Sequence, residues 1–406
     1  MNQKIVLIST LIFAGVIGAL SPCIQAQEPA PSTTIQPVFE EFKPSPENPP
    51  ATAPPKSASP TAPPQKPPPK AQPAPAATPP KPTSQPAPPP AQAQFAPANA
   101  RPPAPPTLAE LPPLKTPGQE KFMETLGYQI LLDRLFFSPG CIDGVMGPQT
   151  REAIVAFQFD RNLPLTGQLD AQTRQALGPL TNLITSHTVT PEETARLRPV
   201  PALWRERAAE PALEYETLLE LIAEKYHASQ NGIRRLNPNI DWPNPPAGTV
   251  VSVPNVTLGK LPKAGLVQIA LSRRQMRVFD RAGRLIAQFP CSIAQKEEKR
   301  PVGRLEVINY APNPTYLFSP DLFKEDARKE GIKGKLIIPA GPNNPVGLAW
   351  IGLNRPGYGI HGTPRPEDIG LTESRGCFRL SNWNARRLMG ATSIGLPVDV
   401  ELDFPR

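Results

Sequence analysis

The sequence predicts a multi-domain chain. A long disordered Pro-rich linker precedes a small three-helix domain, an α/β segment and a mostly-β, sandwich-like domain. Three observations support this order. The 60 prolines of the 406 residues crowd into one region. Apolar residues then recur at helical spacing, and in the last third of the chain they alternate as they do in half-buried strands. We therefore expect compact cores only after the proline-rich region.

Residues 1–26 have the pattern of a secretory signal peptide. Lys4 precedes an apolar run over residues 5–20, and Ile24-Gln25-Ala26 is a suitable cleavage site. An uncleaved membrane anchor is the alternative, because the run is long for a signal core and short for a membrane span. Pro22 argues against lipid attachment at Cys23. Both interpretations predict an exported protein with a signal or anchor at the membrane.

Residues 27–118 are dominated by Pro, Ala, Gln, Lys and Thr. Such a segment cannot bury enough apolar surface to offset its ordering entropy, so we expect an extended, disordered linker with polyproline II character. At roughly 3.1 Å per residue its full reach is on the order of 250 Å. A passive spacer is favoured over a proline-motif ligand.

The net charge of +8 and the pI of about 9.3 indicate attraction to polyanions such as an anionic cell wall. The sequence shows no basic helical stripe interleaved with aromatic residues, which argues against nucleic acid as a partner. The three histidines are scattered and no metal-ligand spacing occurs, so no metal and no cofactor are expected.

After export the chain retains Cys141, Cys291 and Cys377, an odd number that cannot all pair within one chain. A Cys141–Cys291 bridge beside a free Cys377 is one reading. Two buried free thiols are the other.

Residues 119–180 predict three helices on one small core. Apolar residues from Leu126 to Leu135 recur at helical spacing, and further helical runs follow at 148–159 and 170–177. The strings Ile-Asp-Gly-Val-Met-Gly-Pro-Gln-Thr, Ala-Phe-Gln and Asp-Ala-Gln-Thr resemble the type 1 peptidoglycan-binding domain, which implies wall binding. We interpret Asp143, Gly144 and Gly147 as turn structure rather than as ligand contacts.

Residues 212–256 read as helix, turn, helix, loop and strand. The order Ile-Ala-Glu-Lys-Tyr, Leu-Asn-Pro, Gly-Thr and Val-Pro resembles a LysM module, a family that binds N-acetylglucosamine chains. The usual opening strand is missing, because Glu214-Tyr215-Glu216-Thr217 stands in its place. Glycan binding and a purely structural role both stay open. His227 is expected at the surface, at a helix end.

Residues 264–403 predict mostly strands. Val267, Ile269 and Leu271 alternate, and two apolar runs flank a hairpin turn at 280–284. One helix is expected near 384–389. Many strands with little helix favour a β-sandwich or barrel-like domain, and the sandwich-like form is our prediction.

His361 and Cys377 lie close in sequence, and each lies beside a glycine. A thiol attacks as the thiolate, so a reactive cysteine needs a proton acceptor within reach. Chemistry alone leaves two readings: a cysteine acyl-transfer site, or a buried cysteine near an unrelated histidine.

The residues around His361 and Cys377 favour the acyl-transfer site. This stretch contains His-Gly-Thr, a loop, and then Ser-X-Gly-Cys-X-Arg, and it resembles the signature of the L,D-transpeptidase (YkuD-type) family. The resemblance implies that a tetrapeptide stem of peptidoglycan acylates Cys377, releases its terminal D-alanine and is transferred to an acceptor amine. It implies stem peptides, glycan strands or a wall-attached protein as partners, in the periplasm or cell wall.

The resemblance also implies roles at the site. Cys377 is the expected nucleophile and His361 its base, and a nearby helix start would lower the pKa of the thiol. We therefore expect Cys377 to alkylate faster than the other cysteines near pH 6. The remaining expected roles are oxyanion stabilisation by the backbone of Gly376, imidazole orientation by Gly362 or Thr363, a loop hydrogen bond from Ser374, and either carboxylate binding or loop support by Arg379.

One position departs from the family pattern. Arg375 stands where many members carry His, so His361 is the sole expected base. An L,D-carboxypeptidase, in which water replaces the acceptor amine, and a non-catalytic wall-binding scaffold remain the alternative functions.

Overall fold

A computed structural model describes residues 117–256, 259–374 and 376–404. The predicted signal peptide at 1–26, nearly all of the predicted linker at 27–118 and Arg375 lie outside the described residues. Within the described ranges, every helix is too short or too polar to cross a membrane.

The first unit contains three helices, close to the predicted positions. Helix α2 begins at a proline, which lacks only an N–H that a helix start leaves unpaired. The Asp170 side chain caps the third helix by accepting a hydrogen bond from the Thr173 backbone, and Gly178, at φ +86°, ends it. The helices are α1 (Pro117–Arg134), α2 (Pro148–Asp160) and α3 (Ala171–Leu177).

The turn between α1 and α2 is organised by the buried amide of Gln129. Its Oε1 accepts hydrogen bonds from the backbone of Asp143 at 3.0 Å and of Gly144 at 2.8 Å, and its Nε2 donates to Asp143 Oδ1 at 2.8 Å. Gly144 has φ +70°, and a Cβ there would lie 2.1 Å from the Phe122 ring. The structure thus gives Asp143 and Gly144 a role in the turn. Gly147 is the N-cap of α2.

The second unit has a β-α-α-β core interrupted by an insertion. Strand β1 pairs antiparallel with strand β2, and helices α6 and α7 lie between them along the chain. The opening strand that seemed missing from residues 212–256 therefore lies at 184–188, before the insertion that carries α4 and α5. The elements are β1 (Ile184–Thr188), α4 (Pro191–Arg196), α5 (Trp204–Ala209), α6 (Leu218–Lys225), α7 (Gln230–Leu236) and β2 (Val250–Pro254).

Within its described residues, the third unit contains ten strands, two α-helices and two short 3-10 helices at Glu297–Lys299 and Pro366–Asp368. Its elements are β3 (Leu266–Ala270), β4 (Gln275–Phe279), β5 (Leu285–Pro290), β6 (Gly303–Pro312), β7 (Tyr316–Phe318), α8 (Lys324–Glu330), β8 (Leu336–Ile338), β9 (Ala349–Leu353), β10 (Gly359–His361), β11 (Phe378–Arg379), α9 (Asn382–Ala391) and β12 (Pro397–Glu401).

Eight of these strands form one sheet in the order β11-β10-β9-β6-β12-β3-β4-β5. The chain just after β5 returns to the opposite edge of this sheet, where Ser292 and Arg379 exchange two backbone hydrogen bonds of 3.0 Å. The sheet is therefore curled, which agrees with the barrel-like alternative rather than with the sandwich-like form. Strand periodicity reports that one face is buried, but it does not say whether a second sheet or the same sheet covers that face.

The three units meet at a buried carboxylate, Asp133 of α1. His227 Nδ1 lies 2.9 Å from its Oδ2, and Arg387 of α9 donates to both oxygens at 2.9 and 3.1 Å. His227 also stacks on Trp383, with ring centroids 5.2 Å apart. The expected surface position of His227 is thus wrong: it is only 4% exposed. Its φ of +55° turns the chain inward at the end of α6.

The Asp133 cluster predicts a large stability effect. Burial alone would raise the pKa of Asp133, but His227 and Arg387 outweigh burial and hold that pKa well below its usual range. We expect Asp133→Asn to lower the free energy of unfolding by about 3 kcal/mol, because it removes the anionic partner of the buried His227 and Arg387 side chains.

Urea denaturation of the purified chain measures this difference. Asp399→Asn is the matched control, because Asp399 pairs with the exposed Arg304 side chain and should cost less than about 1 kcal/mol. Equal losses in the two variants would contradict the role assigned to Asp133.

Candidate active site

The short strands β10 and β11, at one end of the strand order, carry His361 and follow Cys377 respectively. They pair in parallel with Ile360 opposite Phe378, and the Leu380 backbone donates to the His361 carbonyl at 2.8 Å. Continuing this register by one residue places Cys377 opposite Gly359. Alternate residues of a strand share a face, so Cys377 and His361 lie on the same face of the sheet edge.

The imidazole of His361 is fixed in one tautomer. Its Nδ1 lies 2.6 Å from the Gly362 carbonyl oxygen, which can only accept, so Nδ1 carries the proton. Nε2 is buried and makes no hydrogen bond within the described part of the chain. The ring stacks on Trp350 at 5.7 Å. Burial lowers the pKa of His361 to about 4, so the imidazole is neutral and Nε2 is free to take a proton.

Cys377 is also completely buried. It belongs to an apolar cluster that includes Trp350 of β9, Tyr316 and Phe318 of β7, and Trp204 of the second unit. Burial raises the pKa of the thiol to about 12, although a backbone hydrogen bond from Gly359 and the charge of Arg379 oppose the rise. The thiol donates to the Gly357 carbonyl at 3.5 Å. The site at rest therefore holds a neutral thiol and a neutral imidazole.

The expected helix start beside the nucleophile is wrong. Strand β11 follows Cys377 directly, and α9 begins only at Asn382. A helix dipole acts mainly within its first turn, so it gives little help to a thiolate at this position. The expectation of a depressed thiol pKa fails for this reason and because the site is buried.

The loop before Cys377 is closed by Ser374. Its Oγ donates to the Cys377 carbonyl at 2.6 Å and accepts from the Gly376 backbone at 3.2 Å. The Gly376 N–H thus points at Ser374 in this state, and its use as an oxyanion donor stays a prediction.

Arg379 and Thr363 each make hydrogen bonds to residues of the loop between His361 and Cys377. Arg379 donates to Thr372 Oγ1 at 2.8 Å and to the Glu373 carbonyl at 3.1 Å. Thr363 Oγ1 accepts from the Arg365 backbone at 3.2 Å, so the imidazole is oriented by Gly362 rather than by Thr363. Arg375, the remaining predicted site residue, is not among the described residues.

A cavity of about 780 Å³ adjoins this loop and is shared by two units. One side is formed by the loop between His361 and Cys377 and by Arg379. The other side comes from the second unit and α8. Its lining includes Thr363, Arg365, Asp368, Thr372 and Arg379 on the first side, and Trp204, Arg207, Glu216, Glu220, Asp326 and Lys329 on the second.

The other two described cysteines are free, so the Cys141–Cys291 bridge is absent. Cys291 is fully buried in the core of the sheet. Sequence reasoning missed Trp350 and Trp204, because a tryptophan in a strand or a short helix is ordinary in a protein core. In β9, Trp350 is the register partner of His361 and also packs against Gly359, where a Cβ would lie 2.4 Å from the indole ring.

The buried neutral thiol predicts slow alkylation. We expect iodoacetamide at pH 7 to label Cys377 at least about tenfold more slowly in the folded chain than in the urea-unfolded chain, because only an exposed thiolate reacts. Peptide mass spectrometry after timed quenching measures the rate at each cysteine. Rapid labelling of folded Cys377 at pH 6 would instead support the thiolate that the sequence suggested.

Comparison with known families assigns two parts of the chain. Residues 264–400 match the family described as the L,D-transpeptidase catalytic domain, YkuD. Residues 126–177 match a peptidoglycan binding domain family. The first match contains β10, β11, His361 and Cys377, and the second contains the C-terminal half of α1 together with α2 and α3.

Individual relatives agree with this assignment. YkuD of Bacillus licheniformis is 25% identical over 183 residues, which cover 45% of this chain and 92% of the relative. The probable L,D-transpeptidases YbiS and ErfK/SrfK of Escherichia coli are 29% and 30% identical, over 44% and 46% of this chain. The chain spans only 58% and 60% of the length of these two relatives.

A solved L,D-transpeptidase from Xylanimonas cellulosilytica covers 68% of this chain, and 93% of that structure is matched, at 18% identity. Its TM-score of 0.30 is too low to support a structural argument. The two family matches together place an L,D-transpeptidase catalytic domain after a peptidoglycan-binding domain in this chain.

Proposed function

We propose that the protein is a cysteine-dependent peptidoglycan L,D-transpeptidase. The observation that carries the proposal is the tautomer of His361. The Gly362 carbonyl holds the proton on Nδ1, which leaves a bare Nε2 on the same face as Cys377, inside the matched catalytic domain. A buried base of this kind beside a thiol suits nucleophilic acyl transfer.

In the first half-reaction His361 Nε2 takes the proton of the Cys377 thiol as Sγ attacks the carbonyl carbon of the third stem residue. The oxyanion that forms needs backbone N–H donors, for which Cys377 and Gly376 are the candidates. Breaking the C–N bond to D-alanine then requires a proton on the leaving nitrogen, and the His361 imidazolium supplies it. The products are a thioester on Cys377 and free D-alanine.

The second half-reaction reverses these proton movements. The amine of an acceptor stem attacks the thioester carbonyl, and His361 Nε2 takes a proton from that amine. The C–S bond breaks, the new amide forms, and the proton returns to the Cys377 sulfur. Water in place of the amine would give the carboxypeptidase reaction, so the acceptor alone separates these two functions.

Export to the cell wall belongs to the same proposal. The peptidoglycan-binding domain would hold the chain on glycan strands, and the shared cavity would receive the stem peptide. The β-α-α-β core of the second unit supports a LysM-like module at this position, with a structural role or weak glycan binding. Guanidinium groups such as Arg207, Arg365 and Arg379 in the cavity suit the carboxylates of a stem peptide.

The reaction predicts defined products. We expect residues 115–406, incubated with a disaccharide-tetrapeptide, to yield a cross-linked dimer that lacks one D-alanine, as measured by mass spectrometry. Cys377→Ser should yield none, because a hydroxyl is a much poorer nucleophile here. Tripeptide without dimer would indicate the carboxypeptidase, and no Cys377-dependent product would favour the wall-binding scaffold.

The role of His361 predicts a second loss. We expect His361→Ala to reduce dimer formation by at least about a thousandfold, since no other base is available and a nucleophile and its base act as a unit. His187→Gln is the control, because His187 contacts Glu193 and Tyr226 in the second unit. Substantial turnover by His361→Ala would refute the assignment.

A further inference from the structure

We propose that Glu224, a residue of α6 in the second unit, is a positioning residue for the catalytic His361. It acts through Asn382 and Gly362. The inference rests on the proposed function for its kinetic consequence, but its structural consequence can be measured without turnover.

The first link joins Glu224 to Asn382 at the start of α9. Asn382 is completely buried, and its Nδ2 donates to Glu224 Oε2 at 3.0 Å and to the Pro342 carbonyl at 3.2 Å. Its Oδ1 accepts from the Leu348 backbone at 3.0 Å. These bonds fix both ends of the amide, so the orientation of Asn382 depends on a carboxylate from another unit.

The second link joins Asn382 to Gly362. A Cβ on Gly362 would lie 2.2 Å from Asn382 Oδ1, so the amide packs directly against the glycine backbone. On the other side the Gly362 N–H donates to the Ala349 carbonyl at 3.1 Å. The Gly362 peptide is therefore held between β9 and Asn382, and its carbonyl is the group that fixes the His361 tautomer.

Glu224 is suited to this role by its own surroundings. It is 8% exposed, and its other oxygen accepts from the Tyr215 hydroxyl at 2.9 Å. Burial raises the pKa of Glu224 to about 7. Both protonation states keep an oxygen that can accept from Asn382, and Glu224→Gln reproduces the neutral state.

A carboxylate of α2 provides the control. Both oxygens of Glu152 accept from the Arg273 guanidinium of the catalytic domain at 3.3 Å. This contact also joins an N-terminal unit to the catalytic domain, but neither residue lines the shared cavity. A loss shared by Glu152→Ala and Glu224→Ala would therefore report contact between units, and a loss confined to Glu224→Ala would report positioning.

The test uses 15N-histidine NMR and kinetics on the chain from residue 115 onward. Three histidines give three assignable imidazoles. In the wild type and in Glu152→Ala we expect His361 to show a protonated Nδ1 and a bare Nε2. Glu224→Ala should show mixed tautomers and a kcat lower by about tenfold with KM little changed, because a misplaced base costs rate rather than binding. Glu224→Gln should restore both readouts.

A single His361 tautomer in folded Glu224→Ala would overturn the proposal, as would equal effects of Glu152→Ala. Circular dichroism and the melting temperature establish that each variant is folded. If the wild type gives no Cys377-dependent product, the proposed function fails, while the NMR comparison still decides the role of Glu224.

Discussion

Asp133 is a buried carboxylate whose three strongest hydrogen bonds come from two other units of the chain. Moving such an ion out of water costs several kcal/mol, and only well-placed partners offset that cost. His227 and both terminal nitrogens of Arg387 provide them. The cluster is satisfied only when α1, the end of α6 and α9 are docked together. Because the penalty falls on any arrangement that separates them, the three units hold one relative orientation.

The relative orientation of the three units also fixes the position of the loop between His361 and Cys377. The Gln149 side chain of α2 donates to the Ile369 carbonyl, and the first N–H of α7 donates to Glu367 Oε1 at 2.8 Å. Arg274 holds the Gly370 carbonyl at 2.8 Å from within the catalytic domain. The loop is thus fixed from three sides, two of them outside its own domain. A change in either N-terminal unit can therefore alter the geometry of the site.

Local sequence patterns predicted part of this structure. They missed the parts that depend on contacts between segments far apart in the chain. Helices α1 to α3 follow from apolar spacing and turn residues, and the His361–Cys377 pair follows from its motif. These signals lie within a few residues of one another. The curled sheet, the position of β1 and the burial of His227 depend on contacts between distant segments. Asp133 looked like any polar residue on a helix, because its partners lie 94 and 254 positions away.

The insertion that carries α4 and α5, between β1 and α6, also contributes to the surroundings of Cys377. Its helix α5 begins over α8, where Glu330 accepts from the backbones of Trp204 and Arg205 at 3.0 and 3.1 Å. The indole of Trp204 packs against Phe318 at 4.7 Å, in the cluster that encloses Cys377. The cover over Cys377 is thus anchored to the second unit. A covered, neutral thiol resists oxidation. Under the proposed function, the same cover has to move before a stem peptide can reach the sulfur, so the contact between α5 and α8 would control acylation.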